Sequence, residues 1–340
     1  MRIAILTQPL GHNYGGILQN YALQNILQIL GHTPTTLKQK DLHQISFFKL
    51  LIELPKRLFT KYILKKRKYI FSEYVYNPNP IDLTQFDVYI VGSDQVWRPK
   101  YNIGMLDKMF LSFLSKRTNI KRISYAASFG TKEWEYTVEQ TAKCSKFLSR
   151  FDAVSVRETD GVELCKEYLK REDAVCVLDP TLLLEREEYE ELCREIPKIE
   201  EDILCAYILD LNDDIESKLK TIAIQKGLKL KIVSADNKCT LTVPEWLAMF
   251  RDAKMIITDS FHGTVFSIIF NKEFYSITNI DRGGSRFTSL LSQFDLMSRL
   301  HASINEISLV KDTIINWDSV VQKLQQRRKH SIKFLTSALT

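Results

Sequence analysis

The stretch KMIITDSFHGTVFSIIFNKEFYSI, Lys254–Ile277, packs a strand, a turn, a helix and another strand into one short run. Its first apolar run stops at Asp259, Ser260 and His262, and a second apolar run starts directly afterwards. That is the pattern of a buried parallel strand feeding a crossover helix. Working outward, the same pattern recurs along the chain. Arg2–Thr7 reads as a first strand, and GGILQNYALQNILQIL as a helix closed by Gly31. A second strand is expected near Thr35–Lys38. FDVYIVGSD, RISYAAS and FDAVSVRE are further strands, with helices at Val138–Ser149 and Gly161–Leu169. After VCVLDPTLLL the series restarts with DILCAYILD, a helix near Ile215–Lys226, KLKIVSAD and VPEWLAMFRDA.

Repeated βα units imply parallel sheets with helices on both faces. The fold class expected is therefore α/β, with two Rossmann-like, doubly wound domains. The expected division is residues 1–178, residues 179–312 and a helical tail, 313–340. A length of 340 residues agrees with two cores. In open parallel sheets, ligands bind beyond the C-terminal strand ends. Those ends read TQPLGHNYGG, VGSDQVW, SYAASFG, SVRETDG and ITDSFHG, rich in small and polar residues. With two domains, the expected pocket is the cleft between facing strand ends.

Composition narrows the classes. The chain is 45% hydrophobic and 26% charged, ordinary for a globular protein. No apolar run approaches the ~18 residues of a membrane span, and MRIAILTQPLGHNYGG is expected to be a strand, not a signal peptide. Six cysteines without a CxxC pair suggest a reducing cytoplasm, with neither structural zinc nor a disulfide framework. The net charge of +6 is concentrated at Lys56, Arg57, Lys61, Lys65, Lys66, Arg67 and Lys68, with no acid among them. No nucleic-acid-binding signature accompanies this patch. Residues 56–70 read either as a cationic amphipathic helix at an anionic membrane surface or, more simply, as a helix on its own domain with a solvated basic face.

Five turns carry candidate chemistry. In GHNYGGILQN, a glycine-containing loop opens a helix whose N–H groups suit an anion, and Asn13, Gln19 and Asn20 are the polar side chains that would face it. The structural alternative is a plain βα turn. In VGSDQVWRP, Asp94 can act as a base, Ser93 can line a cleft and Trp97 can stack on a sugar; the alternative is helix capping, with Trp97 in a core. In SVRETDG, Arg157 beyond a strand end suits carboxylate or phosphate, against an Arg157–Glu158 surface ion pair of little worth. In TDSFHG, His262 is a proton donor and acceptor, Ser260 and Asp259 cap, and Gly263 admits a ligand. The alternative is a polar plug between sheet and helix. In NIDRGGSRF, a loop carries Arg282 and Arg286, which could close over an anion or simply be solvated.

Taken in order, HNYGGILQNYAL, VGSDQVW, SYAAS, SVRETDG, VLDPTLLL, TDSFHGTVFSIIFNKEF and RFTSLLSQFDL resemble the polysaccharide pyruvyl transferase family from about Ile3 to Arg299. The resemblance implies a GT-B-like fold with two Rossmann-like domains facing across a cleft. It implies transfer of pyruvate from phosphoenolpyruvate to a sugar of a surface glycan or its precursor, including a lipid-linked one, as a ketal, with no metal and no cofactor beyond the donor. His262 would be general acid/base and phosphate partner, Asp94 a second catalytic residue, and Arg157 an anion clamp beside Ser260 and Gly263. Many members carry an arginine directly before the histidine. Here it is Phe261, so Arg282 or Arg286 would have to supply that charge. The expected site of action is the cytoplasm, at the inner face of the membrane. The rival readings are a nucleotide-sugar-dependent glycosyltransferase and a non-catalytic glycan-assembly partner using the basic helix.

Overall fold

The computed structural model describes residues 1–11, 13–37, 85–114, 119–234, 241–307 and 314–340. The basic segment 56–70 and Cys239 lie outside them. The first sheet contains β1 (Arg2–Leu6), β2 (Thr33–Thr36), β3 (Val88–Val91), β4 (Lys121–Ala127), β5 (Ala153–Val156) and β6 (Val175–Cys176). Their spatial order is β2-β1-β3-β4-β5-β6, and every pairing is parallel. The second sheet contains β7 (Ile203–Ile208), β8 (Lys229–Ser234), β9 (Met255–Thr258), β10 (Glu273–Ile277) and β11 (Leu300–His301), in the parallel order β11-β10-β9-β7-β8.

The apolar runs become strands because helices cover both faces of a parallel sheet, so successive residues are buried whichever way they point. All residues of β3, β7 and β9 are buried. The second strand falls at Thr33–Thr36, two residues before its expected place, where Thr33 N donates to Met1 O and Leu37 N to Ile5 O. Helix starts follow their caps: Thr137 with Gln140 and Thr242 with Glu245 form capping boxes, and Asn212 caps the helix Asp213–Lys226.

NIDRGGSRF is not the expected loop. Asn279 accepts a hydrogen bond from Arg282 N (3.1 Å) and starts a helical turn, Ile280–Gly283. Gly283, at φ +107°, breaks it before the helix Ser285–Ser292.

The chain forms two compact units. One comprises Met1–Gly11, Gly16–Leu183 and Arg327–Thr340; the other comprises His12–Gly15 and Leu184–Gln326. The tail helix, Trp317–Leu339, is thus divided between them at Gln326. In the first unit, Leu178 N donates to Ser331 Oγ (3.0 Å) and Arg328 Nε to Leu182 O (2.9 Å). Among the described residues, no helix is long and apolar enough to cross a membrane.

Candidate active site

Each sheet ends in a polar cluster, and the two are built differently. In the first unit, the turns after β3, β4, β5 and β6 bring Asp94, Ser128, Arg157, Glu158 and Asp179 together. Arg157 Nη1 lies 2.8 Å from Asp179 Oδ2, Nε 3.3 Å from Glu158 Oε1, and Nη2 3.7 Å from Asp94 Oδ1. Ser128 Oγ donates to Glu158 Oε1 at 2.5 Å, and Ser93 Oγ donates to Ala126 O and Asp179 Oδ2. All these residues are buried. Burial works against the guanidinium charge, but Asp179, Glu158 and Asp94 outweigh it and hold the Arg157 pKa above its usual value.

This geometry corrects several expectations for the first unit. Arg157 and Glu158 form a buried pair, not a surface one. Three carboxylates already surround Arg157, so an incoming anion would have to displace one of them, which does not support the anion-clamp role. Asp94, at φ +73°, turns Oδ1 to Gln95 N (2.8 Å) as well as towards Arg157; it caps no helix, since the next helical turn, Pro99–Tyr101, starts after Arg98. Trp97 is in the core: it is fully buried, stacks on Phe110 at 4.8 Å and donates its indole N–H to Met109 O. It presents no face to a sugar. Gln19 is also internal, donating to Thr7 Oγ1 and Gly16 O and accepting from Ser93 N. Asn20 is buried and accepts from Thr36 Oγ1, while Asn13 is exposed.

In the second unit, β9 leads into the helix Phe261–Ile269. Thr258 Oγ1 donates to Tyr207 O (2.7 Å) and accepts from Ser260 N (3.0 Å), fixing the turn; Ser260 Oγ then caps by accepting from Gly263 N. Gly263 serves packing, not ligand access: a Cβ there would lie 2.2 Å from Thr258 Oγ1. Asp259 ties the neighbouring loops together, accepting from Leu209 N (2.6 Å), Asp210 N (3.2 Å) and Asn279 Nδ2 (3.4 Å). Burial raises its pKa, and the backbone N–H groups oppose that rise.

His262 sits in the first turn of that helix, 5% exposed. Its ring fits against Gly15, where a Cβ would lie 2.0 Å from His262 Nδ1. Gly15, which lies in the first turn of the helix Tyr14–Ile29 and not in the expected loop before it, therefore makes room for the histidine of the other motif, and both fall in the second unit. Next to Gly15, Tyr14 stacks on Trp246 at 5.2 Å and donates to Leu241 O (2.7 Å). Neither aromatic stood out in the sequence, because a tyrosine at a helix start and a tryptophan on an apolar helix face carry no local signal.

The two arginines differ. Arg282 forms a bidentate pair with Asp210, both contacts 2.7 Å, on the surface. Arg286 is buried; its guanidinium lies 5.2 Å from the centroid of the Phe261 ring, and it donates to the carbonyls of Arg282 and Gly283. Phe261 also meets the His262 ring edge-on at 5.2 Å. His262 and Arg286 thus flank one aromatic ring at the start of a helix, where backbone N–H groups favour an anion. Among the described residues, no group of three or more His, Cys, Asp or Glu side chains could hold a metal ion.

A family model for polysaccharide pyruvyl transferases matches residues 13–282, a span that includes Gly15, His262 and Arg282. The chain belongs to the polysaccharide pyruvyl transferase family. It is a transferase, and the activity of its family is pyruvyl transfer to polysaccharide. No curated protein matches the chain significantly. Among solved structures, it is similar to UDP-GlcNAc 2-epimerase of Methanocaldococcus jannaschii, with a TM-score of 0.53 and 11% identity over 99% of this chain and 100% of that one. It is also similar to the Neisseria meningitidis UDP-GlcNAc 2-epimerase, with a TM-score of 0.50 and 8% identity over 100% and 99%. At such identities the likeness concerns the fold alone: this pyruvyl transferase family member has the two Rossmann-like α/β domains expected of a GT-B-type chain.

Proposed function

We propose that the protein transfers pyruvate from phosphoenolpyruvate to a glycan acceptor, with His262 as general acid/base. The observation carrying this reading is the convergence of His262, Arg286 and a helix N-terminus around Phe261. Phosphoenolpyruvate brings a carboxylate and a phosphate, so its site needs cations. Arg282 is paired with Asp210, and Arg286 lies on the ring of Phe261, which stands where the family resemblance leads one to expect an arginine.

In the proposed reaction His262 protonates the donor methylene carbon, and positive character develops at C2. One sugar hydroxyl forms the first C2–O bond and loses its proton. The C2–phosphate bond then breaks, and a second hydroxyl closes the ketal. One hydroxyl proton restores the histidine and the other leaves with phosphate. General acid–base catalysis of this kind contributes about 10²–10⁴-fold. The chemistry needs no redox group, and the donor is a substrate, not a resident cofactor. The acceptor belongs to a surface polysaccharide or its lipid-linked precursor, met at the inner face of the membrane.

The test is phosphate release from phosphoenolpyruvate in the presence of glycan acceptors. Release that depends on the acceptor and is lost in His262→Ala supports the assignment. If the protein is instead stabilised thermally by a nucleotide sugar and never by phosphoenolpyruvate, the glycosyltransferase alternative replaces it.

A further inference from the structure

In the first unit, a surface pocket of about 630 Å³ lies beside the helices Val138–Leu148 and Thr159–Leu169. Three rings build it. Trp134 stacks on Tyr136 at 4.2 Å and on Tyr168 at 4.5 Å, the latter pair within 7° of parallel. Their surroundings are fixed in advance. The Trp134 indole N–H donates to Thr141 Oγ1 (2.9 Å), whose hydroxyl donates to Thr137 O. Tyr136 Oη donates to Trp97 O, and Ser145 Oγ to Leu169 O (2.9 Å). The rim exposes Val138, at 90%. The charged residues lining the pocket are Lys146 and Lys170; Glu167, which hydrogen-bonds Tyr168, and Glu133 lie nearby but do not line it.

We propose that this pocket is an auxiliary binding site for a carboxylate-bearing stretch of the glycan chain. The identity of the occupant rests on the family's polysaccharide acceptor and on the reading above. The chemistry of the lining points the same way. Its size suits a few sugar units, since ligand sites of ~300–1,000 Å³ are typical. A pyranose offers one apolar C–H face and a polar edge, which matches the partly exposed rings of Trp134 and Tyr168 beside hydroxyls. The two ammonium groups match a carboxylate, the group that a pyruvate ketal or a uronic acid adds to a sugar. Rings already locked by stacking and hydrogen bonds lose little freedom on binding. Such a site would hold a chain already carrying carboxylates while the transferase works on another unit.

Titration calorimetry with two probes tests this directly, without any pyruvyl transfer: a galacturonate hexamer and a neutral galactose hexamer. The expected result is tighter binding of the galacturonate hexamer. In the double variant Lys146→Glu with Lys170→Glu, that binding weakens at least tenfold, while the melting temperature holds because both side chains are exposed. Tyr168→Ala, removing the outer ring of the stack, should weaken both hexamers. Failure of the wild type to bind either probe, equal affinity for the two, or binding indifferent to the lysine reversals overturns the proposal. Because the readout is binding alone, a transfer assay that fails for every acceptor leaves this result to be judged separately, and the converse holds too.

Discussion

The strand ends of the first unit gather one guanidinium among three carboxylates, all out of water. Those of the second unit set His262 and Arg286 beside one phenyl ring, while Asp259 faces backbone N–H groups. Both clusters grow from the same βα grammar and lie where parallel sheets bind ligands. They differ in what the charges do. In the first, the single guanidinium is shared among three carboxylates, and removing it leaves them buried without their cation. In the second, the cation rests on a ring and on carbonyl oxygens. The charge-rich cluster is thus bound up in its own ion pairs, and the sparser one is where the proposed donor site lies.

The largest effect that would separate the two clusters is on turnover. His262→Ala should lower kcat by about 10²–10⁴-fold with the melting temperature unchanged; retained turnover would remove its assigned role. Arg157→Ala should do the reverse, costing about 3–5 kcal/mol of stability, measured by denaturant unfolding. If Arg157→Ala folds normally but loses donor binding, the contrast drawn here is broken and the anion-clamp role returns. Gly15→Ala probes the contact between the two motifs. The added methyl meets His262 Nδ1, so a loss of about 10²-fold in kcat/KM is expected from misplacing the ring, with overpacking costing ~1–3 kcal/mol. Arg286→Ala should raise the KM for phosphoenolpyruvate by about 10-fold or more, since a charged hydrogen bond is worth ~1.5–3 kcal/mol. Adding Phe261→Arg should recover part of that loss.

The smallest effect concerns pH. The hydrogen bond from Arg282, aided by Asn279 against partial burial, holds the Asp210 carboxyl below its ordinary value. A lowered folded pKa adds stability above the unfolded value of ~3.9, which is lost as pH falls through the folded one. Asp210→Asn should therefore reduce the melting temperature near neutral pH and match the wild type in acid. Because the pair is solvent-exposed, the difference should stay within about 1 kcal/mol. The raised Asp259 carboxyl has the opposite sign, its contribution falling as pH rises above the unfolded value.

The sequence by itself determined the architecture. Apolar runs such as Val88–Val91 and Met255–Thr258, each ending in a polar turn, could bury both faces only in parallel sheets, and the ordered motifs carried the family. Strand-end positions for Asp94, Arg157 and His262 were equally legible, because a continuous apolar run and the polar turn that ends it are local properties. What those residues touch was not. Arg157 and Asp94 share their charge with Asp179, and Trp97 stacks on Phe110 in the core, where a sugar cannot reach it. Gly15 and Gly263 leave space for a histidine ring and a threonine side chain, not for a ligand. Only the tertiary structure decided these points: how a buried charge is compensated depends on neighbours distant in sequence, and no local pattern encodes that distance.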